Sequence, residues 1–339
     1  MCARFSPEGG TTNELHEDIE LTRCKSVTID SIPHIESLPS ELTSIDVFRR
    51  LSNKPHCLFL DSALPHSQLG RFSYVTADPF EFLSFSSQGE ANALHSVKRR
   101  LECYSSKTIP GLPPFQGGAA GMLSYGLSKT LEAIPDCRYD DFNVPILAIG
   151  LYDVVVVFDH QTGESWIISQ GFSAESKTRS VDHARRRADQ FREWLLEPVS
   201  DSVENDHAID LPVKLSGKQF DVDRLSGLKS NFSPDGYLHA VRQVVDYIHA
   251  GDAFQVNLAQ RLVYPAMSDS RVLYERLRER NPATFAGYFD IGEFQIVSAS
   301  PERFLRVVDN HVETRPIKGT RRRVLRPEAD MFAGREMQE

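Results

Sequence analysis

The sequence predicts a mixed fold of the α/β (α+β) class whose strands meet mostly as antiparallel neighbours. Three observations carry that expectation. Short β-branched runs follow one another at hairpin spacing through the first half of the chain. Only a few segments show an apolar stripe at helical spacing. After residue 283, four strand-like runs come in succession, at 284–291, 294–299, 303–308 and 311–315. The 339 residues are 40% hydrophobic and 25% charged, a globular balance, and suffice for one large or two medium domains.

Residues 1–25 are polar and read as a loosely ordered tail. A first region runs over 26–196. In it, His56–Asp61 and Gly70–Val75 are short strands, and Ile146–Phe158 is a long β-branched one. A turn at His160–Gly163 then returns the chain along Glu164–Ser169. Ser176–Leu196 has a helical pattern with a charged face. Residues 197–231, which include EPVSDSVENDHAIDLP, lack a periodic apolar face and read as a linker.

The second region, 232–339, opens on a well-signalled helix. Ser233 can cap it, Pro234 suits the first turn, and Asp235 complements the positive end. Leu238, Val241, Val245 and Ile248 form its apolar stripe, and Gly251 stands where a C-terminal cap belongs. Residues 254–261 alternate and predict a strand, with Gln255, Asn257 and Arg261 on its polar face. A further helix is predicted at about 270–280.

Several function classes are disfavoured. A net charge of −9 does not suit a general nucleic-acid binder. The five cysteines include no C-x-x-C pair, so neither a disulfide framework nor a zinc site is expected, and a reducing, cytoplasmic location is. The start, MCARFSPEGGTTNELHEDIELTR, has no apolar run of the signal-peptide kind. No apolar stretch reaches the roughly 18 residues of a membrane span. There is no H-E-x-x-H pattern. The GGAAG run at Gly117–Gly121 lacks the Lys-Ser/Thr of a P-loop and reads as close strand packing or as an anion-facing backbone.

The densest chemistry lies in SASPERFLRVVDNHVETRPIKGTRRR, residues 298–323. Asp309-Asn310 suits a two-residue hairpin turn, because both tolerate left-handed backbone. That register sets Val308 opposite His311, Phe304 opposite Arg315, and Glu302 opposite Ile317, beside Lys318. Pro316 cannot continue a ladder, and a bulge there would re-aim Lys318 toward Glu302. Arg315, Arg321, Arg322 and Arg323 would gather positive charge for an anionic ligand. The alternative is a basic loop in water.

These residues resemble a known family. S-P-E-R-F at 300–304 followed by T-R-P-I-K-G-T at 314–320 is similar to the signature of the chorismate-utilising enzymes. G-D-A-F-Q-V-N-L-A-Q-R at Gly251–Arg261 and N-P-A-T-F-A-G-Y-F at Asn281–Phe289 are further matching blocks. Upstream, L-P-P-F-Q-G-G-A-A-G at Leu112–Gly121, D-S-A at Asp61–Ala63 and G-R-F-S-Y at Gly70–Tyr74 match the family's N-terminal region. The likeness runs from about residue 45 to the end. It implies two large, mostly antiparallel sheets packed face to face with helices outside, like anthranilate synthase component I.

Within the family, anthranilate synthases usually carry P-I-A-G-T, whereas aminodeoxychorismate synthases carry P-I-K-G-T, as here. The resemblance thus implies amination of chorismate to 4-amino-4-deoxychorismate, on the way to p-aminobenzoate and folate. Lys318 would be the nucleophile, attacking C2 as the 4-hydroxyl leaves, with ammonia then entering at C4. Glu302 would be the general acid/base, and Gly319 and Thr320 would line the substrate. A lysine near its reference pKa of about 10.4 is protonated and inert, so burial or neighbouring cations such as Arg315 would have to lower it.

The resemblance also implies a tryptophan pocket at Ser62, Leu69, Gly70, Arg71, Phe72, Thr284, Phe285 and Ala286, although Thr284 departs from the usual proline. It implies Mg²⁺ as cofactor and a glutamine amidotransferase subunit as ammonia source. The family pattern continues beyond Glu339 with R-A-E-N-L-M-I-V-D-L, H-L-V-S and G-S-x-T-G-A-P-K. The magnesium carboxylates are expected in that part, with no metal ligand assigned here. The anthranilate synthase-like enzyme and a non-catalytic binding module are the alternatives.

Overall fold

The computed structural model describes residues 33–64, 66, 69–86, 93–136, 139–176, 178–199 and 215–316. The expected tail at 1–25 and the centre of the expected linker lie outside these residues.

In the first region the described elements are β1 (His34–Ser37), α1 (Ser44–Leu51), β2 (Leu58–Asp61), β3 (Phe72–Thr76), β4 (Glu81–Phe85), α2 (Ala93–Cys103) and β5 (Gly118–Leu123). A 3-10 turn at Tyr125–Thr130 precedes β6 (Leu147–Tyr152), β7 (Val154–Asp159), β8 (Glu164–Ser169) and α3 (Val181–Leu196). The second region adds β9 (Phe220–Asp221), β10 (Lys229–Ser230), α4 (Pro234–Ala250), β11 (Leu262–Val263) and α5 (Ser270–Arg280). It ends with β12 (Phe285–Asp290), β13 (Gln295–Ser300), β14 (Arg306–Val308) and β15 (His311–Glu313).

Every described strand pair is antiparallel. The large sheet has seven strands in the order β1-β8-β7-β3-β2-β12-β13. It crosses the boundary expected from sequence, because β12 lies against β2 with Ala286 opposite Asp61. A three-stranded sheet, β4-β6-β5, packs on one face of it. Leu58, Phe289 and Ile291 meet Ala148 and Tyr152 between the two sheets. On the opposite face α1, α3 and α5 cover Phe59, Val75, Val154, Val156 and Tyr288. α2 closes the outside of the smaller sheet through Ala93 and Val97. The expected face-to-face architecture with outer helices is therefore present.

Four expectations are corrected. The run 146–158 is not one strand. It breaks at Asp153 into β6 in the small sheet and β7 in the large one. Asp153 is buried and tied to Arg187 on α3 at 3.1 Å, which turns the chain between layers. Residues 254–261 form no strand, and only Leu262–Val263 pair, with β10. The alternation is present, but the run meets β10 only at its end, where Gln260 Nε2 donates to Ser230 Oγ and the Asn231 N–H donates to the Arg261 carbonyl. The expected linker contains β9 and β10. Finally, Cys103 is disulfide-bonded, against the expectation of none. Cys57 is a free thiol in the core, and burial pushes its pKa far up. As for the glycine run, a Cβ on Gly121 would strike the Ala148 carbonyl across the β5–β6 pair, so close strand packing is its use.

Candidate functional site

A cavity of about 650 Å³ opens where β2, β3 and β12 end together, and the β14–β15 hairpin forms its far wall. The chain reaches this arrangement by local means. Asp309 and Asn310 both take positive φ, 49° and 64°, and set the hairpin register Val308↔His311 and Arg306↔Glu313 expected from sequence. Pairing stops there. Thr314 Oγ1 donates to the Phe304 carbonyl at 3.2 Å instead of extending the ladder. At Gly70 a side chain would meet the Leu64 carbonyl oxygen at 2.5 Å, so only glycine lets the chain there lie this close to Leu64.

Leu60, Leu69, Phe72, Tyr74, Pro114, Phe285 and Ala286 make the apolar floor. All the positions expected for a tryptophan pocket line this cavity except Gly70. Ser62 and Thr284 are buried there, and their hydroxyls donate to the Phe72 carbonyl (2.6 Å) and the Pro301 carbonyl (3.3 Å). Arg71 lies over the Phe72 ring at 4.7 Å and donates to Asp159 through Nε and Nη2. That bond holds the Asp159 carboxyl below the usual carboxylate range, against partial burial.

The hairpin wall is charged. Glu313 accepts from Arg303 Nη2 at 2.7 Å, pairs with Arg315 Nε at 2.5 Å, and faces Arg306 at 3.5 Å. Desolvation pushes its carboxyl up, but the Arg315 hydrogen bond and the guanidinium charges outweigh it, and the pKa falls. Arg315, expected to act on Lys318, is thus engaged by Glu313.

Beneath the floor lies a polar network that sequence reasoning missed. Asp61, with its side chain fully buried, accepts from Arg278 Nε at 2.5 Å and from the Tyr274 hydroxyl at 2.9 Å. Ser73 Oγ sits 3.4 Å from Asp61 Oδ1 and 2.7 Å from His160 Nε2. Burial raises the Tyr274 pKa and lowers that of His160. Arg278 and Tyr274 come from α5, so this network fixes the second region to the cavity floor. The one sequence signal was an aspartate closing the apolar run Leu58–Asp61.

Glu302 is exposed in the turn between β13 and β14, where Ser300 Oγ donates to its carbonyl at 2.9 Å. It is not among the residues lining the cavity. Lys318, Gly319 and Thr320 lie outside the described residues. Among the described residues no group of three or more His, Cys, Asp or Glu is placed to hold a metal ion. No described helix is long and apolar enough to cross a membrane.

The two packed antiparallel sheets with outer helices define a mixed α/β scaffold of the anthranilate synthase component I type. The crystal structure of that protein from Streptococcus pneumoniae matches with a TM-score of 0.55 at 24% identity, over 74% of this chain and 54% of that one. The chain belongs to the chorismate binding enzyme family, whose model matches residues 56–339. It is 32% identical to anthranilate synthase component 1 of Thermus thermophilus over 87% of its length. It is 30% identical to aminodeoxychorismate synthase component 1 of Salmonella typhimurium over 84%. It spans only 61% and 58% of those relatives' own lengths.

Proposed function

We propose that this chain is the chorismate-binding part of an aminodeoxychorismate synthase, which replaces the 4-hydroxyl of chorismate by an amino group. The observation that carries the reading is Lys318 in T-R-P-I-K-G-T, directly after β15. The hairpin register supports it, since Glu302 precedes β14 and Thr314–Pro316 follow β15 at the same open end of the ladder. In this reading Lys318 Nζ adds to C2 as Glu302 protonates the departing 4-hydroxyl. Ammonia then adds at C4 and the C2–lysine bond breaks, returning the amine. Gly319 and Thr320 line the substrate. Magnesium would supply charge neutralisation for the substrate carboxylates. No described donor set fits it.

Ammonia would come from a separate glutamine amidotransferase. The cavity beside β3 would take tryptophan, its ring on the apolar floor and its carboxylate toward the hairpin arginines. A second reading, amination at C2 as in anthranilate synthase, is favoured by the Thermus thermophilus likeness.

The test uses a fusion in which the remaining two-fifths of the Salmonella typhimurium relative is joined to this chain. With chorismate, Mg²⁺ and ammonium it should form 4-amino-4-deoxychorismate. Anthranilate as the main product would overturn the proposed branch.

A further inference from the structure

A smaller cavity, of about 260 Å³, shares no lining residue with the first. Its floor is Leu151 and Tyr152 at the end of β6, with Gln170 and Phe172 just after β8, all of them buried. Gly117 and Gly118, where β5 begins, form one wall. Gln116 fixes that wall. Its Oε1 accepts the Ile109 N–H, its Nε2 donates to the Ile109 and Pro113 carbonyls, and its own carbonyl accepts from Gln170 Nε2. A Cβ on Gly117 would come within 2.8 Å of Gln170 Cγ, so glycine lets wall and floor meet there. These bonds are complete in the free chain, and the cavity is preformed.

The lining chemistry narrows the occupant. Tyr104 meets Phe80 and Phe172 edge to face, with ring centroids 4.9 Å apart at 68° and 5.6 Å apart at 78°. All three rings line the cavity, and a further ring is favoured at such spacings. No Asp, Glu, Lys, Arg or His stands among the described residues that line it, whereas the first cavity has Asp61, Arg71, Glu313 and Arg315. A charged ligand would give up its hydration here for no opposite charge. Tyr104, Ser105 and Ser106 also line the cavity, and their hydroxyls have no hydrogen-bond partner among the described residues. Burial raises the Tyr104 pKa, so its hydroxyl stays protonated and can both donate and accept. Pockets for drug-sized ligands measure about 300–1,000 Å³, so this one suits a single small ring system.

We propose that this cavity is a separate binding site for a small, uncharged, planar aromatic molecule with a hydrogen-bonding edge. The ring packs against Phe80, Tyr104 and Phe172, and the polar edge meets the free hydroxyls of Tyr104, Ser105 and Ser106. The proposal goes beyond the amination chemistry and the first cavity, and rests on neither.

The test titrates the 339-residue chain with indole and follows leucine methyl resonances by NMR. Leu101 and Leu151 line this cavity, and Leu60 and Leu69 line the first, so the two sites report separately. Indole should shift the Leu101 and Leu151 methyls in a saturable way. Benzoate, which is planar but charged, and cyclohexanol, which is neutral but not planar, should each bind at least tenfold more weakly. 1-Methylindole, which lacks the N–H, should bind at least threefold more weakly. Ser106→Trp should weaken indole binding at least tenfold by filling the mouth. Ser106 is exposed, so the circular dichroism of the free chain should not change. Absence of shifts at Leu101 and Leu151 would overturn the proposal, as would shifts confined to Leu60 and Leu69. So would benzoate, cyclohexanol or 1-methylindole binding as tightly as indole, or undiminished binding in Ser106→Trp.

Discussion

Arg278→Met should destabilise the protein severely, although Arg278 lies on a surface helix. Its guanidinium holds the Asp61 carboxylate at 2.5 Å, and the Asp61 side chain is fully buried while that of Arg278 is 25% exposed. Removing one partner from such a pair leaves a desolvated charge and costs about 3–5 kcal/mol. Asp61→Asn removes the charge but keeps an acceptor for Tyr274, so its cost should be nearer about 1–3 kcal/mol. The double variant has no stranded charge. It should therefore be more stable than the sum of the single losses predicts, by about 2 kcal/mol, within the range of coupling between residues in contact. Urea unfolding followed by the fluorescence of Trp166 and Trp194 measures all four proteins. A cost below about 1 kcal/mol for Arg278→Met, with additive losses in the double variant, would refute the claim that this pair ties α5 to the cavity floor.

Two other predictions concern the same region. His160 is held below its ordinary pKa by burial, with Asp61 and Asp159 opposing and Arg278 assisting. The folded state thus takes up its proton at lower pH than the unfolded chain does. The stability this contributes is present above pH about 6.5 and is lost as pH falls below it. Unfolding free energies between pH 7.5 and 5.5 should decline more steeply in the parent than in His160→Asn, and equal slopes would contradict this. For the cavity, calorimetric titration should show tryptophan binding that Gly70→Val weakens at least tenfold, because the side chain collides with the Leu64 carbonyl. Unchanged affinity would remove the Leu69–Phe72 segment from the binding site.

Much of this fold was legible where the signal is local. The caps of α4 and the Asp309-Asn310 turn rest on neighbouring residues, and both were read with the right register. Features set by distant partners were not legible. The run through 146–158 is uniformly β-branched, and its division between two sheets depends on the reach of Asp153 to Arg187 on α3. Residues 254–261 alternate like a strand, but alternation cannot supply a neighbour to pair with. The site divides in the same way. Ser62, Arg71 and Thr284 came from short matched blocks, and the structure brings them around one cavity. The partners of Asp61 escaped notice because Tyr274 and Arg278 lie 213 and 217 residues further along the chain.

Lys318 decides between amination at C4 and at C2, and product identity tests its role directly. In the fusion described above, chorismate and ammonium should give 4-amino-4-deoxychorismate, with a transient lysine adduct visible in the intact-protein mass. Lys318→Ala should abolish that product or move substitution to C2, since the covalent bond no longer occupies that carbon. Loss of the covalent route should slow C4 amination by orders of magnitude, each 1.4 kcal/mol of barrier being worth about tenfold. If Lys318→Ala forms 4-amino-4-deoxychorismate at the parent rate, the lysine is a loop residue and the proposed chemistry is wrong.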